Sequence, residues 1–219
     1  MKKTYKLAFL VLIILCLSVS IFVGCGSNNV PDTGKNNDVS DETSDGSSDI
    51  KEPGGNALVA YFSRRGENWQ VGYIEKGNTE IVAEMIAEET NADLFAIQPV
   101  VPYPDVYSEM LEVSRRETSE NARPAIKDTI TDFDKYDVIF IGYPIWNGTC
   151  PMIIRTFTES YDFSGKTVVP FATSGGSGLG KTADNFRKIL GKNVTVKNGR
   201  LLNRASESEL RAFVAESIK

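Results

Sequence analysis

The chain has 219 residues, 41% hydrophobic and 24% charged, with three cysteines, no histidine and a formal net charge of −5. Without histidine, the usual zinc centres, Ser-His-Asp triads and imidazole general bases are excluded together. The acidic balance argues against nucleic acid as a partner and against an electrostatic hold on anionic lipid.

At the start, Lys2, Lys3 and Lys6 precede an apolar run from Leu7 to Leu17, the build of a secretory signal peptide. Even extended to Val23, the run is short for a bilayer core that needs about 20 apolar residues. The sequence Phe22-Val23-Gly24-Cys25 resembles a bacterial lipobox, in which small residues precede a cysteine that is lipidated and becomes the mature N-terminus. Met1 to Gly24 is therefore expected to be a lipoprotein signal and Cys25 the lipid attachment site, with an uncleaved membrane helix as the alternative. Removing that segment leaves 21 basic and 29 acidic residues, a net −8. Cys16 lies in the signal and Cys25 carries lipid, so Cys150 alone remains in the body and no intramolecular disulfide can form.

Gly26 to Asn56 is nearly all Ser, Asn, Asp, Gly, Thr, Lys and Glu, with only Val30, Val39 and Ile50 as larger aliphatics. Such a stretch cannot bury enough apolar surface to offset its ordering entropy, so residues 25–56 are expected to form a disordered acidic linker. As a flexible coil it would hold a domain roughly 30 Å from the membrane. Ala57 to Lys219 then suits one domain of about 160 residues.

Within that domain Leu58 to Phe62 reads as a buried strand, and Asn78 to Thr90 as a helix from the spacing of Ile81, Val82, Met85, Ile86 and Glu89. Leu94 to Ile97 is a second strand, Tyr107 to Glu120 a charged, partly amphipathic helix, and Val138 to Ile141 the clearest strand. Pro151 opens a helix through Met152, Ile153, Phe157 and Tyr161. Val168 to Ala172 is a fourth strand, Lys181 to Leu190 a helix, Val194 to Val196 a short fifth strand and Ser206 to Ile218 the closing helix. Strands without polar alternation, each followed by a helix, predict an α/β fold: a three-layer, doubly wound, five-stranded parallel sheet. In such folds ligands bind at the carboxyl ends of the strands, near the topological switch point.

After the first strand come Ser63, an excursion from Arg64 to Lys76, and then Gly77, Asn78 and Thr79 at a helix start. Glycine permits close backbone approach, the hydroxyls can donate, and the helix start offers unpaired N–H groups, which together make a phosphate cradle. Asn78 as a plain helix cap is the structural alternative. After the third strand comes Gly142-Tyr143-Pro144-Ile145-Trp146-Asn147-Gly148-Thr149, where Trp146 can serve as a packing anchor or as a platform for a planar ligand. After the fourth strand comes Thr173-Ser174-Gly175-Gly176-Ser177-Gly178-Leu179-Gly180-Lys181-Thr182, whose stretch from Gly175 to Thr182 matches the phosphate-binding loop of nucleotide triphosphatases. No apolar strand ending in a metal-binding aspartate accompanies it, which argues against triphosphate hydrolysis.

Taken together, the three loops resemble those of the flavodoxin family: Ser63, Gly77, Asn78 and Thr79 match its phosphate loop, Pro144 to Thr149 its flavin-covering loop and Thr173 to Gly178 its glycine-serine loop. The runs Ile141 to Trp146 and Tyr161 to Lys166 look like the branch found in exported lipoproteins. The resemblance implies strand order 2-1-3-4-5 and FMN as cofactor, held by these residues. It also implies a peptide flip between Asn147 and Gly148 when the flavin is reduced, with positive φ at the glycine; Gly148 as a residue that merely lets the loop enter the Pro151 helix is the structural alternative. The departure from the family is the Arg64–Lys76 excursion, read as a loop that borders the site and brings Arg64, Arg65 and Lys76 near the phosphate; closure over the flavin by Trp69 or Tyr73 is the other reading.

The expected function is electron transfer by an exported, lipid-anchored flavoprotein, to a redox partner protein or a small acceptor. Acidic and apolar surroundings disfavour added negative charge on the flavin and predict a low-potential carrier. The alternatives are an FMN-dependent NAD(P)H:quinone-type reductase, and a flavodoxin-shaped binding module without flavin. Cys150, between Thr149 and Pro151 at a helix start, is either a thiol activated by the dipole or a small space-filling residue.

Overall fold

The structure is a computed structural model that describes residues 56–180, 182–203 and 205–219. The signal segment, Cys25, almost all of the acidic linker and Lys181 lie outside the described residues. Among the described residues no helix is long and apolar enough to cross a membrane.

Four parallel strands make up most of the sheet: β1 (Asn56–Tyr61), β4 (Asp93–Ala96) at one edge, β5 (Tyr136–Pro144) and β6 (Thr167–Thr173). An antiparallel hairpin, β2 (Gly66–Asn68) with β3 (Gly72–Ile74), stands apart from them. Two short strands, β7 (Thr195–Val196) and β8 (Arg200–Leu201), both pair in parallel with β6. The order β4-β1-β5-β6-β7 is the predicted 2-1-3-4-5.

The fifth position is split where one strand was expected, and Pro170 accounts for the break. Thr195 N donates to Lys166 O, Lys197 N to Val168 O and Leu202 N to Ala172 O, so alternate β6 residues face this edge. Pro170 is in that series and has no N–H to offer. The chain leaves the ladder opposite it, and Gly199 passes so near that a Cβ would lie 3.0 Å from Pro170 O.

The period of two along each strand sorts side chains into two cores. Leu58, Ala60, Ile139, Ile141 and Val168 face one layer, against α3 (Met152–Glu159) through Ile153, Ile154 and Phe157 and against α4 (Thr182–Leu190) through Phe186. Met110 of α2 (Tyr107–Ser119) belongs to the same cluster. Val59, Phe140, Val169 and Phe171 face the opposite layer, where α1 (Asn78–Thr90) and α5 (Glu207–Ser217) bring Val82, Ile86, Leu210, Phe213 and Val214. Covering on both faces is why these strands carry no polar alternation.

Helix ends follow local chemistry. Ser206 caps α5 in a capping box with Glu209, and Asn91 closes α1 at φ 50°. Pro151 is the cap residue of α3 rather than its first helical residue, and α3 stops at Glu159. Tyr161, assigned to that helix from sequence, lies beyond it, stacks on Phe133 with centroids 4.4 Å apart and accepts a hydrogen bond from Ile130 N.

Candidate functional site

A cavity of about 440 Å³ opens at the carboxyl ends of β1, β5 and β6, next to the switch point where the chain order reverses on either side of β1. The three predicted loops meet here. Ser63, Asn78, Thr79, Pro144, Ile145, Trp146, Asn147, Gly148, Thr173, Ser174, Gly175, Gly176 and Ser177 line it, while Gly77, Thr149 and Gly178 do not.

In the first loop Gly77, not Asn78, is the cap position of α1, and no side chain of its own caps the helix. Ser63 does so from the other end of the excursion, its Oγ accepting from Glu80 N at 3.1 Å. Gly77 lies so close to Ser63 that a Cβ would stand 2.0 Å from that Oγ and 2.8 Å from Arg64 O. Thr79 Oγ1 meets Thr173 Oγ1 at 2.8 Å in a buried bond that ties α1 to the end of β6. Thr79→Val should leave the Thr173 hydroxyl buried without its partner and cost about 1–3 kcal/mol, measurable by urea unfolding; an unchanged midpoint would mean the pair contributes nothing.

In the loop after β5, Ile145 N donates to Thr173 O at 2.8 Å, and Trp146 and Thr149 exchange two backbone bonds of 2.9 Å. Asn147 and Gly148 between them have φ of 49° and 74°. Two positive φ values inside a reciprocal pair make a type I′ turn, so positive φ is not confined to Gly148 as expected. Turning over the Asn147–Gly148 peptide would drive Asn147, not the glycine, into a region that disfavours side chains. Asn147 Nδ2 also donates to Ser114 Oγ of α2 at 2.9 Å. Gly148→Ala meets no atom within 4 Å, so its cost is the positive φ alone, about 1 kcal/mol, again read by unfolding.

Trp146 is only 8% exposed. Its ring meets Phe62 at 5.3 Å and Tyr103 at 5.0 Å, both near perpendicular, so packing takes up most of the indole.

In the loop after β6, Gly176 N and Ser177 N both donate to Ser174 Oγ, at 3.2 and 2.8 Å, and Ser174 N donates to Asn203 Oδ1 at 2.6 Å. A triphosphatase loop aims its amides at phosphate; here two of them are turned onto a serine of the same loop.

The Arg64–Lys76 excursion forms the β2–β3 hairpin. Arg64, 7% exposed, donates from Nε and Nη2 to Pro104 O, from Nη2 to Asp105 O and from Nη1 to Glu67 O. Burial lowers its pKa, while Asp105 and Glu67 raise it in part. Glu67 completes the seam: its N–H donates to Asp105 O and its carboxylate accepts from Tyr107 N. Arg65 pairs with Asp105 and Lys76 with Glu84. Of the three cations expected to serve a phosphate, Arg64 is thus committed to backbone carbonyls, and Arg65 and Lys76 make exposed ion pairs away from the cavity lining.

Two further walls line the cavity, of which the first was expected as the excursion that borders the site and the second was not. One is the hairpin through Asn68, Trp69, Gln70, Val71 and Ile74; the other is α2 through Tyr107, Met110, Leu111 and Ser114. The second had a signal, since these four positions follow the i, i+3, i+4, i+7 stripe of a helix face. The position of the excursion at the site was read from sequence but its hairpin form was not, because strands of three residues are too short to show a period. Behind the site Cys150 is buried, and burial pushes its thiol pKa up, outweighing the lowering by Thr149 and Arg155. Thiol reagents should label it slowly in the folded protein and rapidly in denaturant.

A sequence profile of the flavodoxin family matches residues 56–217. The chain is similar to a candidate flavoprotein from Bacteroides eggerthii, at 38% identity and a TM-score of 0.64 over 75% of this chain and 99% of that one. A candidate flavoprotein from Bacteroides uniformis is 35% identical with a TM-score of 0.63, covering 74% and 98% of the two chains. A flavoprotein from Lactobacillus acidophilus, solved in complex with FMN, shares the fold at 22% identity and a TM-score of 0.54, over 67% and 93%. No curated protein matches the chain. With the profile spanning every strand and helix described, and the cavity at the switch point those strands define, this chain belongs to the flavodoxin family.

Proposed function

We propose that this protein is an exported, lipid-anchored electron carrier that uses FMN. The observation that carries the reading is the cavity of about 440 Å³ enclosed by the loops after β1, β5 and β6, a volume within the range of ligand pockets. The residues present suit a flavin mononucleotide. Gly77 brings the start of α1 against Ser63 where a Cβ would collide, and Asn78 and Thr79 offer neutral donors to a phosphate at that helix start. The loops from Pro144 to Gly148 and from Thr173 to Ser177 bring backbone polar groups and apolar surface to the same space. Bound FMN would supply one- and two-electron redox chemistry.

The walls favour carriage over turnover of a second substrate. Among the described lining residues only Arg64 and Tyr107 are ionisable, and the Arg64 guanidinium is committed to carbonyls. Among these described residues no carboxylate or imidazole is placed to deliver a proton, so the chain's task is to bind, orient and shield the ring. Electrons would pass to a redox partner protein or a small acceptor.

The direct test is the absorption spectrum of the purified protein after incubation with FMN, together with quenching of flavin fluorescence. A colourless protein without quenching refutes the flavin reading. Fast, saturable NAD(P)H oxidation with benzoquinone would replace the carrier by a reductase. On the anchoring proposal, Cys25→Ala should move the protein out of the membrane fraction; retention after alkaline wash would mean that an uncleaved helix holds it.

A further inference from the structure

A planar ring in this cavity would be stabilised by an aromatic face, and Trp146 has little to give, being 8% exposed and boxed in by Phe62 and Tyr103. The glycine loop from Thr173 to Gly180 contains no aromatic residue. We propose that Trp69, at the tip of the β2–β3 hairpin, is the residue that positions and covers the flavin ring; the inference rests on the FMN reading above.

Trp69 lines the cavity and is 60% exposed. Its indole lies 5.9 Å from the Tyr107 ring at 32°, so the two rings make one apolar wall with most of the indole open. A hairpin of two three-residue strands has no core of its own and is not stable alone. This one is held by the buried Arg64 guanidinium on Pro104, Asp105 and Glu67 carbonyls, and by the Glu67 bonds to Asp105 and Tyr107. Gly66, at φ 92°, passes so near Asp105 that a Cβ would stand 2.6 Å from its carbonyl oxygen. These devices fix a segment that adds nothing to either core, and what they position is an exposed indole at the cavity rim.

The tip also reaches the opposite wall. A Cβ on Gly175 would lie 2.2 Å from Trp69 O, and one on Gly176 3.1 Å from Gln70 Oε1. The missing side chains of the glycine loop therefore let the hairpin tip lie across the cavity mouth. Tyr73 on the same hairpin is 56% exposed but does not line the cavity, which makes it the natural control.

The test is FMN titration of the full chain, purified in detergent, by flavin fluorescence, with iodide quenching of bound flavin as a second readout. Trp69→Ala should raise the FMN Kd by about tenfold, the scale of stacking a heteroaromatic base on an aromatic side chain. It should also make bound flavin more accessible to iodide. Trp69→Phe should recover most of both effects, and Tyr73→Ala should match the wild type. Because Trp69 is exposed, the circular dichroism and thermal midpoint of Trp69→Ala should be those of the wild type. Wild-type FMN binding with unchanged Kd and iodide access in Trp69→Ala overturns the role of Trp69 while leaving the FMN reading intact. Failure of the wild type itself to bind FMN overturns both.

Discussion

Gly77→Ala is expected to lose about 2 kcal/mol or more of stability, from overpacking at a closed seam, and, on the proposed FMN reading, at least about tenfold in FMN affinity. The added Cβ would stand 2.0 Å from Ser63 Oγ, 2.8 Å from Arg64 O and 3.0 Å from Arg64 N. Rotating Ser63 can relieve only the first contact, and doing so withdraws the cap from Glu80 N. The other two contacts are backbone, so relief requires the start of α1 to move away from the end of β1. That motion separates Asn78 and Thr79 from the loops they share the cavity with and strains the Thr79–Thr173 bond. The double variant Ser63→Ala/Gly77→Ala should recover only part of the stability, because the backbone contacts remain. Thermal melts and flavin titration decide the matter: wild-type values for Gly77→Ala would show that the tight approach serves no purpose.

Arg64→Ala is the second large effect, and it is local. The guanidinium bonds Pro104, Asp105 and Glu67 carbonyls from a nearly buried position. Its loss removes hydrogen bonds from a charged donor and strands the carbonyls, a cost of about 3 kcal/mol, or on the order of a hundredfold in the opening equilibrium of the hairpin. Amide exchange across Gly66–Ile74 should accelerate accordingly, and protease cleavage should appear within the hairpin, while β1, β5 and β6 keep their protection. Arg64→Lys should fall between, since a single ammonium cannot reproduce the planar fork. Unchanged exchange in the hairpin would mean that the other contacts hold it without Arg64.

The sheet was legible because burial on both faces writes itself into the strands. Leu58 to Phe62, Val138 to Ile141 and Val168 to Ala172 are apolar runs with no solvent face to vary, and glycine and hydroxyl residues at the strand ends marked where a ligand site would form. The proline in Val168 to Ala172 was legible as a residue of a buried strand. Its effect, the division of the edge into β7 and β8, depended on which neighbour its missing N–H faced.

Sequence by itself determined the α/β class, the strand order, the exclusion of histidine chemistry and the three loops that converge on one site. Tertiary structure alone decided what those loops share the site with. The contacts that set it join Arg64 to Pro104, Ser114 to Asn147 and Thr79 to Thr173, separations over which local periodicity carries no information. An apolar pattern states that a residue is covered; which residue covers it is settled only when distant segments meet. For that reason Trp146, the conspicuous aromatic of the predicted site, is packed between Phe62 and Tyr103, while Trp69, in an excursion that the sequence places only at the border of the site or over it, stands open at the cavity rim.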